Sequence, residues 1–428
     1  MSLTRTCERN ACRFVRCCDA LTTEGPDMPD QIADAERALY LLIRALAALC
    51  IIGSWSGWTG AAAQSSFYRA TPQEIAGRPG TLIRQEPLSL PAPFGASVVR
   101  VLYRSTGLHD ESIPVSGVVI IPPGPMPSEG RPIVAWAHPT TGVEPRCAPS
   151  MAMFLIQQIQ GVREMVQRGY IVAATDYPGL GTPETHPYLV GESEARAVLD
   201  SVRVARELTG APARFAVWGH SQGGQAALFT GMMAKSYAPE LDLAGVAVAA
   251  PATALATLLA DDIDTTGGRN LTAMTLWSWS RIFNAPIDRV VDPAAMPVVD
   301  RLAGECIESI YDILQRRGPT RLLGQTFLSV KDFYRTEPWR ELITKNTPGT
   351  LPPHIPVFLA QGGTDQLVRP QVTQDYMKRL CAAGSKVQWF LMPTANHGFA
   401  ARDSASAAVR WMADRFAGVA PPNDCNRG

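Results

Sequence analysis

The sequence predicts an α/β fold in which a mostly parallel central sheet has helices on both faces and carries an inserted helical cap. Two observations support this prediction. Short apolar runs alternate with helical patterns from Val115 onward, which is typical of a parallel sheet with helical crossovers. Roughly a hundred residues separate the run ending at Ala250 from the next one at Pro356, where a helix of about a dozen residues would connect two strands.

Individual elements follow from the same patterns. Seven apolar runs have the length and composition of buried strands: 115–121, 132–138, 170–176, 215–221, 243–250, 356–362 and 387–393. A helix is predicted over Glu192–Thr209, because Ala195, Val198 and Val202 fall on one face and Gly210 follows the last periodic position.

The long connection between two strands is the basis of the predicted cap. We divide the chain into an upstream extension with a secretory signal (1–63), the first part of the core (64–251), the cap (252–339) and the second part of the core (340–428). The cap has few strand signals and holds several large apolar residues: Leu271, Met274, Leu276, Trp277, Trp279 and Phe283. Its aromatic residues either form the core of a small helical subdomain or line a pocket.

The first segment has the features of an export signal. The apolar stretch Ala38–Ile52 is followed by alanines at 61–63, an A-x-A site that predicts cleavage after Ala63. Met28 is a better initiator than Met1, because a signal begins within about 30 residues of its start. The mature protein is therefore expected to be secreted, periplasmic or part of the cell envelope. The alternative is a membrane anchor that stays uncleaved.

Four cysteines remain beyond the predicted leader: Cys147, Cys306, Cys381 and Cys425. An even number in an exported chain favours two disulfides, and sequence alone leaves three pairings open. Four buried free thiols are the better interpretation only if the leader prediction is wrong.

Composition excludes two classes of protein. The 428 residues include 39 Lys and Arg against 39 Asp and Glu, and 18% are charged, whereas about 25% is average. That balance argues against nucleic-acid binding, which requires a basic surface. Apolar residues make up 46% of the chain but do not form several spans of 18 or more, so a polytopic membrane protein is excluded too.

The chemistry is predicted at Gly219-His220-Ser221-Gln222-Gly223. This is a G-x-S-x-G motif in the context that an α/β-hydrolase fold requires, with a strand before it and a helix, predicted over 222–235, after it. The two glycines permit a turn sharp enough to expose the Ser221 hydroxyl. The alternative is a glycine-rich turn without catalytic function.

A serine nucleophile needs a base and an acid that orients it, and in α/β-hydrolases the chain order is Ser, Asp or Glu, then His. Asp365 follows a predicted strand, and His397 is the only histidine after it. Asp375 lies within a helical pattern and Glu341 in the cap region, so both are poorly placed. The remaining histidines precede the acid and are interpreted as structural: His109, His138, His186, His220 and His354. For His138 and His220 a supporting role near the serine is also considered.

The oxyanion of a tetrahedral intermediate needs main-chain N–H donors. One is expected from Gln222, directly after the nucleophile, and the other from the loop that begins at His138. Because Pro139 has no N–H, the second donor is predicted to be Thr140 or Thr141.

Five segments together resemble the secretory lipase family: 137–150, 174–203, 218–228, 361–368 and 396–399. The resemblance runs from about residue 70 to 425. It implies a catalytic triad of Ser221, Asp365 and His397, a helical cap over an acyl-binding tunnel, and hydrolysis of carboxylic esters. For such a hydrolase we predict that the surface formed by 252–339 lines an acyl pocket. It also implies that Cys147 pairs with Cys306, and Cys381 with Cys425.

The expected function is a secreted serine hydrolase that cleaves fatty acyl esters through an acyl-enzyme, with lipase-like hydrolysis of triacylglycerols. No metal or organic cofactor is expected. The expected partners are a lipid or small ester substrate and, transiently, a lipid interface, but not nucleic acid. Alternatives are a short-chain carboxylesterase, a serine peptidase of the same fold and a non-catalytic binding module.

Overall fold

The computed structural model of the chain describes residues 66–261, 263–307 and 310–426. The chain divides into two units, Met1–Ser66 and Phe67–Gly428, and the fold reported below is that of the second. The predicted signal segment, 1–63, and its cleavage site lie outside the described residues.

A nine-stranded sheet forms the centre of this unit, in the order β1-β2-β3-β5-β4-β6-β7-β8-β9. The strands are β1 (Leu82–Leu88), β2 (Ser97–Thr106), β3 (Ser112–Ile121), β4 (Ile133–Ala137), β5 (Ile171–Thr175), β6 (Arg214–His220), β7 (Asp242–Ala249), β8 (Val357–Gly362) and β9 (Val387–Met392). The first three strands are antiparallel to their neighbours, and all pairings from β5 through β9 are parallel. The predicted mostly parallel sheet is confirmed.

All seven predicted strands are present within three residues of their predicted bounds, whereas β1 and β2 were not predicted. The side chains of β1 are half-buried or exposed and include Pro87, so the strand lacks the continuous apolar run of a buried strand. Such a composition suits an edge strand, which has no neighbour on one side.

Helices connect the strands. They are α1 (Pro72–Ile75), α2 (Leu155–Gln158), α3 (Val162–Gln167), α4 (Gly191–Thr209), α5 (Gln222–Tyr237), α6 (Leu255–Asp261), α7 (Thr266–Ile282), α8 (Met296–Ala303), α9 (Ile310–Leu323), α10 (Trp339–Lys345), α11 (Pro370–Ala382) and α12 (Ala400–Phe416). Helix α4 ends at Gly210, which adopts φ 70°, a left-handed conformation that glycine accommodates without strain.

Both faces of the sheet are covered, because alternate residues of each strand point to opposite sides. On one face Val217 of β6 packs in a cluster with residues of α4, α5 and α11. On the other face Trp218 packs with residues of α2, α3 and α12. The fold therefore has three layers, and the parallel direction of its strands brings their carboxyl ends together at one edge, where functional groups of α/β sheets collect.

Between β7 and β8 the described residues form five α-helices, α6 to α10, so this long connection is helical, as the predicted fold class expects. They surround their own apolar cluster, in which Trp277, Trp279, Phe333 and Trp339 are buried. The predicted aromatic residues therefore pack inward among the helices. The bounds at 252 and 339 stay a prediction.

Two disulfides are present, Cys147–Cys306 and Cys381–Cys425, the pairing that the resemblance implies. The first joins the loop after β4 to the segment after α8. In the part of the chain that the structure describes, no helix is long and apolar enough to cross a membrane.

Candidate active site

Ser221 lies at the turn between β6 and α5, with φ 57° and ψ −116°. A non-glycine residue in this region is strained by about 1–3 kcal/mol, and such strain concentrates at functional sites. The main chain enters the turn from a buried strand and leaves as a helix, which is the geometry that the G-x-S-x-G motif predicts.

Two glycines make the turn sterically feasible. A Cβ atom on Gly223 would lie 1.9 Å from the Ala137 carbonyl oxygen, and one on Gly219 would lie 2.1 Å from the carbonyl oxygen of Gly223. Neither contact is tolerable, so these positions require glycine. The first turn of α5 can therefore pack directly against the end of β4.

His397 lies within hydrogen-bond distance of both other predicted triad residues. Its Nε2 is 2.9 Å from Ser221 Oγ, and its Nδ1 is 2.8 Å from Asp365 Oδ2. Because Nδ1 faces a carboxylate, it carries the proton, which leaves Nε2 to accept the hydroxyl proton of Ser221. A neutral imidazole in this tautomer can act as a general base.

Asp365 is held by groups that orient its carboxylate. Its Oδ1 accepts the N–H groups of Leu367 and Val368, each at 2.9 Å, and the side chain is buried. Its Oδ2 is thereby directed toward His397, and Gln361 Nε2 donates to the same oxygen at 3.3 Å. Asp365 follows β8 and His397 follows β9, so the parallel sheet brings both to the edge that holds Ser221.

His220 contacts the main chain of the predicted base. Its Nε2 donates to the His397 carbonyl oxygen at 3.0 Å, and the two rings lie 5.1 Å apart. Burial, with a smaller contribution from His397, lowers the pKa of His220 to about 3, so the ring is neutral. This contact fits the supporting role that the sequence suggested.

His138 is buried in the loop after β4. Its Nδ1 lies 2.7 Å from the Pro139 carbonyl oxygen and its Nε2 lies 3.1 Å from that of Asp176. The ring stacks on Tyr177 with centroids 4.3 Å apart. Burial lowers the pKa of His138 to about 4. The side chain connects the loops that follow β4 and β5 and lines the same cavity as Ser221, and the hydrogen bonds of its ring go to neither Ser221 nor His397.

Both threonine candidates for the oxyanion site line the cavity that contains Ser221. The Thr140 hydroxyl lies 2.9 Å from Tyr188 Oη, and the Thr141 hydroxyl is buried without a hydrogen-bond partner among the described residues. The Thr141 carbonyl accepts the N–H of Ile307 at 2.7 Å, next to the Cys147–Cys306 disulfide. The loop is thus fastened to the cap segment.

Gln222 is the first residue of α5, where main-chain N–H groups have no intrahelical acceptor. Its side-chain amide donates to Glu194 Oε1 at 2.7 Å and to His186 Nε2 at 3.1 Å. The His186 Nδ1 donates to the Pro178 carbonyl at 2.7 Å, which leaves Nε2 as the acceptor. The side chain of the residue that follows Ser221 is therefore anchored to both Glu194 and His186.

Glu194 is a buried acid that sequence reasoning missed. Its Oε1 accepts the N–H of Leu189 at 3.1 Å as well as that of the Gln222 side chain, and its Oε2 is buried without a hydrogen-bond partner among the described residues. Burial raises the pKa of its carboxyl from 4.5 to about 8, so it is protonated at neutral pH. Nothing in the helical pattern of α4 distinguishes it from the exposed acids of the same helix.

Two cavities meet at Ser221. The core-side pocket has a volume of about 340 Å³ and is lined by His397 together with residues of the sheet edge and of α2, such as Trp136 and Leu155. The cap-side pocket has a volume of about 40 Å³ and is lined by Gln222 and by residues of α6 and α7, such as Leu258. Thr140 borders both.

The described residues, 66–261, 263–307 and 310–426, contain no group of three or more His, Cys, Asp or Glu side chains that could hold a metal ion. The groups that meet at Ser221 are a hydroxyl, an imidazole, a carboxylate and the N-terminus of a helix. These are the components of nucleophilic acyl transfer.

Comparison with known proteins supports the same chemistry. The family model described as secretory lipase matches residues 150–424. This chain belongs to the secretory lipase family. The matched segment contains Ser221, Asp365 and His397, whereas Thr140 and Thr141 precede it. Lipase-like ester hydrolysis is the activity that membership in this family supports.

Individual relatives are distant. Lipase 5 of Candida albicans is 28% identical over 304 residues, which cover 65% of this chain and 64% of that protein. A Mycobacterium tuberculosis protein named a probable inactive lipase is 23% identical over 366 residues, 79% of each chain. The crystal structure of Candida antarctica lipase A in its closed state has a TM-score of 0.68 at 19% identity, covering 83% of this chain and 86% of that one. This structural similarity confirms the predicted α/β-hydrolase fold.

Secretory lipase membership and two disulfides also indicate a secreted protein, because disulfides persist in oxidising compartments. Membership in this family indicates lipid or other ester substrates.

Proposed function

We propose that this chain is a secreted serine hydrolase that cleaves carboxylic esters through an acyl-enzyme. The observation that carries the proposal is the continuous hydrogen-bonded path from Ser221 through His397 to Asp365. In the first half-reaction His397 Nε2 takes the hydroxyl proton while Ser221 Oγ attacks the ester carbonyl carbon. The negative charge that develops on the carbonyl oxygen is stabilised by the N–H of Gln222 and that of Thr140 or Thr141.

The intermediate then collapses. The carbon–oxygen bond to the alcohol breaks, the proton on His397 passes to the alcohol oxygen, and an acyl group stays on Ser221. Water, deprotonated by His397, attacks the acyl-enzyme. The bond from the acyl carbon to Ser221 Oγ then breaks, His397 returns its proton to Oγ, and the acid is released with the enzyme restored. Asp365 keeps the imidazole in the required tautomer and stabilises the imidazolium that forms in each half-reaction.

Catalysis by this chain is the first point to test, since one relative is named a probable inactive lipase. Ser221→Ala should lower ester turnover at least about 10³-fold, because the members of a triad act as a unit. Ser201→Ala is the matched control. Its hydroxyl is also buried, but it bonds within α4 to the Val198 carbonyl. Equal turnover by Ser221→Ala and wild type would remove Ser221 from the mechanism.

Export is part of the proposal. We infer that the leader is removed after Ala63, which delivers the four described cysteines to a compartment where both disulfides form.

We further infer transient contact with a lipid interface through the loop before α2. Met153 and Phe154 are 84% and 61% exposed, and the next residue, Leu155, lines the pocket that contains Ser221. Exposed large apolar side chains beside a pocket mark interaction sites. The double variant Met153→Ser, Phe154→Ser should reduce binding to an emulsified ester and leave turnover of a dissolved ester unchanged. Undiminished binding to the emulsion would contradict this contact.

A further inference from the structure

The two pockets that meet at Ser221 differ in which reacting group they contain, and this difference deepens the proposed function, on which it rests. Of the residues that take part in the proposed reaction, His397 lines the core-side pocket but not the cap-side one. Gln222, whose N–H faces the developing oxyanion in the proposed mechanism, lines the cap-side pocket but not the core-side one. The two pockets are therefore not equivalent for an ester.

The direction of proton transfer determines which pocket binds the alcohol of the ester and which binds the acyl chain. When the carbon–oxygen bond breaks, the leaving alcohol oxygen must receive the proton from His397 Nε2, which requires hydrogen-bond reach. The alcohol therefore occupies the core-side pocket. The carbonyl oxygen points toward Gln222, and the remaining substituent on the carbonyl carbon, the acyl chain, extends into the cap-side pocket.

The volumes then limit the size of each half. A water-sized group takes up about 10–15 Å³ of such a volume, and a methylene is of similar size. The cap-side pocket, at about 40 Å³, holds about three or four such groups. The core-side pocket, at about 340 Å³, holds more than about twenty and falls within the range of ordinary ligand sites.

Helix α7, which forms one wall of the cap-side pocket, is anchored to the core. Helix α7 contributes Leu271 and Thr275 to this pocket, and the same helix is anchored further along, where Ser278 Oγ donates to the His186 carbonyl at 2.6 Å and Trp279 Nε1 donates to that of Tyr188 at 2.8 Å. The disulfide between the loop after β4 and the segment after α8 also ties the cap to the core. On the α7 side the pocket therefore has little freedom to lengthen for a longer chain.

The core-side pocket has a mostly apolar wall. Val118, Trp136, Leu155 and Ile159 contribute apolar side chains to it, and Arg402 lies at its border. We propose that the preferred substrates are esters of a short acid, of about two to four carbons, with a bulky and largely apolar alcohol. Among glycerides this preference selects tributyrin over tridecanoin, with the diacylglycerol as the bulky alcohol.

The test is a matrix of esters with alcohols of similar basicity: ethyl and naphthylmethyl esters of acetic, butyric and decanoic acid, followed by acid release. A pocket with room for a longer chain would raise kcat/KM about fourfold for each added methylene. We expect naphthylmethyl butyrate to exceed naphthylmethyl decanoate at least tenfold, and to exceed ethyl butyrate at least tenfold. Faster hydrolysis of the decanoate, or no gain from the larger alcohol, overturns the assignment.

Paired variants separate the two pockets. Leu258→Ala widens only the cap-side pocket and should raise the decanoate-to-butyrate ratio at least fivefold. Leu155→Ala enlarges only the core-side pocket and should lower the naphthylmethyl-to-ethyl ratio while the acyl profile stays. Thermal unfolding checks both proteins, and Thr275→Ala is a second cap-side variant if Leu258→Ala does not fold. An unchanged acyl profile in the folded cap-side variant refutes the inference.

The outcomes also distinguish this inference from the proposed function. If no ester is hydrolysed in a Ser221-dependent way, the proposed function fails and the matrix has no signal. If hydrolysis depends on Ser221 but longer acyl chains are preferred, the proposed function stands and only the assignment of the pockets is wrong.

Discussion

Replacing Glu194 by glutamine should remove a pH dependence of stability that the wild-type protein carries. Burial raises the pKa of this carboxyl from 4.5, its value in the unfolded chain, to about 8 in the folded protein. Between these values the folded state binds more protons than the unfolded state, so the free energy of unfolding falls as pH rises. The contribution of Glu194 is complete below about pH 4.5 and lost by about pH 8.

The magnitude follows from the width of that window. One pKa unit corresponds to about 1.4 kcal/mol, so from pH 5 to 8 the wild type should lose about 4 kcal/mol relative to Glu194→Gln. Glutamine keeps an oxygen that can accept the N–H groups of Leu189 and Gln222, so those two hydrogen bonds need not be lost. Any constant difference between the two proteins cancels, since only the slope is compared.

Urea unfolding at pH 5, 6, 7 and 8 measures this slope for both proteins. Asp200 lies on the same helix, and burial raises the pKa of its carboxyl from 3.8 to about 6. The difference between Asp200→Asn and wild type should therefore change below about pH 6 and be constant above it. A difference between Glu194→Gln and wild type that does not vary between pH 6 and 8 would show that Glu194 is ionised when folded.

Three further predictions concern the disulfides, the support of the base and the leader. Removing the Cys147–Cys306 disulfide should lower the free energy of unfolding by about 1 kcal/mol more than removing Cys381–Cys425, because the two bonds close segments of 159 and 44 residues. Urea unfolding of the two Cys→Ser double variants measures this difference. A larger loss of stability for the Cys381–Cys425 pair would contradict the prediction. His220→Ala should lower kcat about tenfold with little change in KM, because the His397 carbonyl loses its buried hydrogen-bond donor. Steady-state kinetics of the variant measures both constants. A rise in KM alone would indicate that His220 acts in substrate binding. Protein from its native host should begin near Gln64 and contain no free thiol, and mass spectrometry that finds an intact leader would refute the cleavage site.

The triad geometry was predictable because strong local constraints coincide there. The glycines around Ser221 permit a tight turn between a strand pattern and a helix pattern, and His397 is the only histidine after Asp365. The loop residue proposed as the second oxyanion donor was less predictable. Thr140 and Thr141 both line the cavity, and a sequence cannot say which N–H points at an oxyanion.

Features that depend on tertiary packing could not be predicted from the sequence. Glu194 sits on a helix with other acids, and only the approach of the Gln222 side chain makes it a buried partner. Trp277 and Trp279 have the helical spacing of either a core or a pocket wall, and they fill the core of the helical segment. The size of the cap-side pocket depends on how closely α6 and α7 pack, and no local sequence pattern predicts that distance.

Covalent labelling tests the central claim most directly. An organophosphonate carrying a short alkyl ester imitates the tetrahedral intermediate and bonds to an activated serine. Incubated with the folded protein and mapped by peptide mass spectrometry, it should attach stoichiometrically to Ser221, and Ser221→Ala should not be labelled. Stoichiometric labelling at a different serine, or no labelling of a protein that hydrolyses esters, would contradict the account.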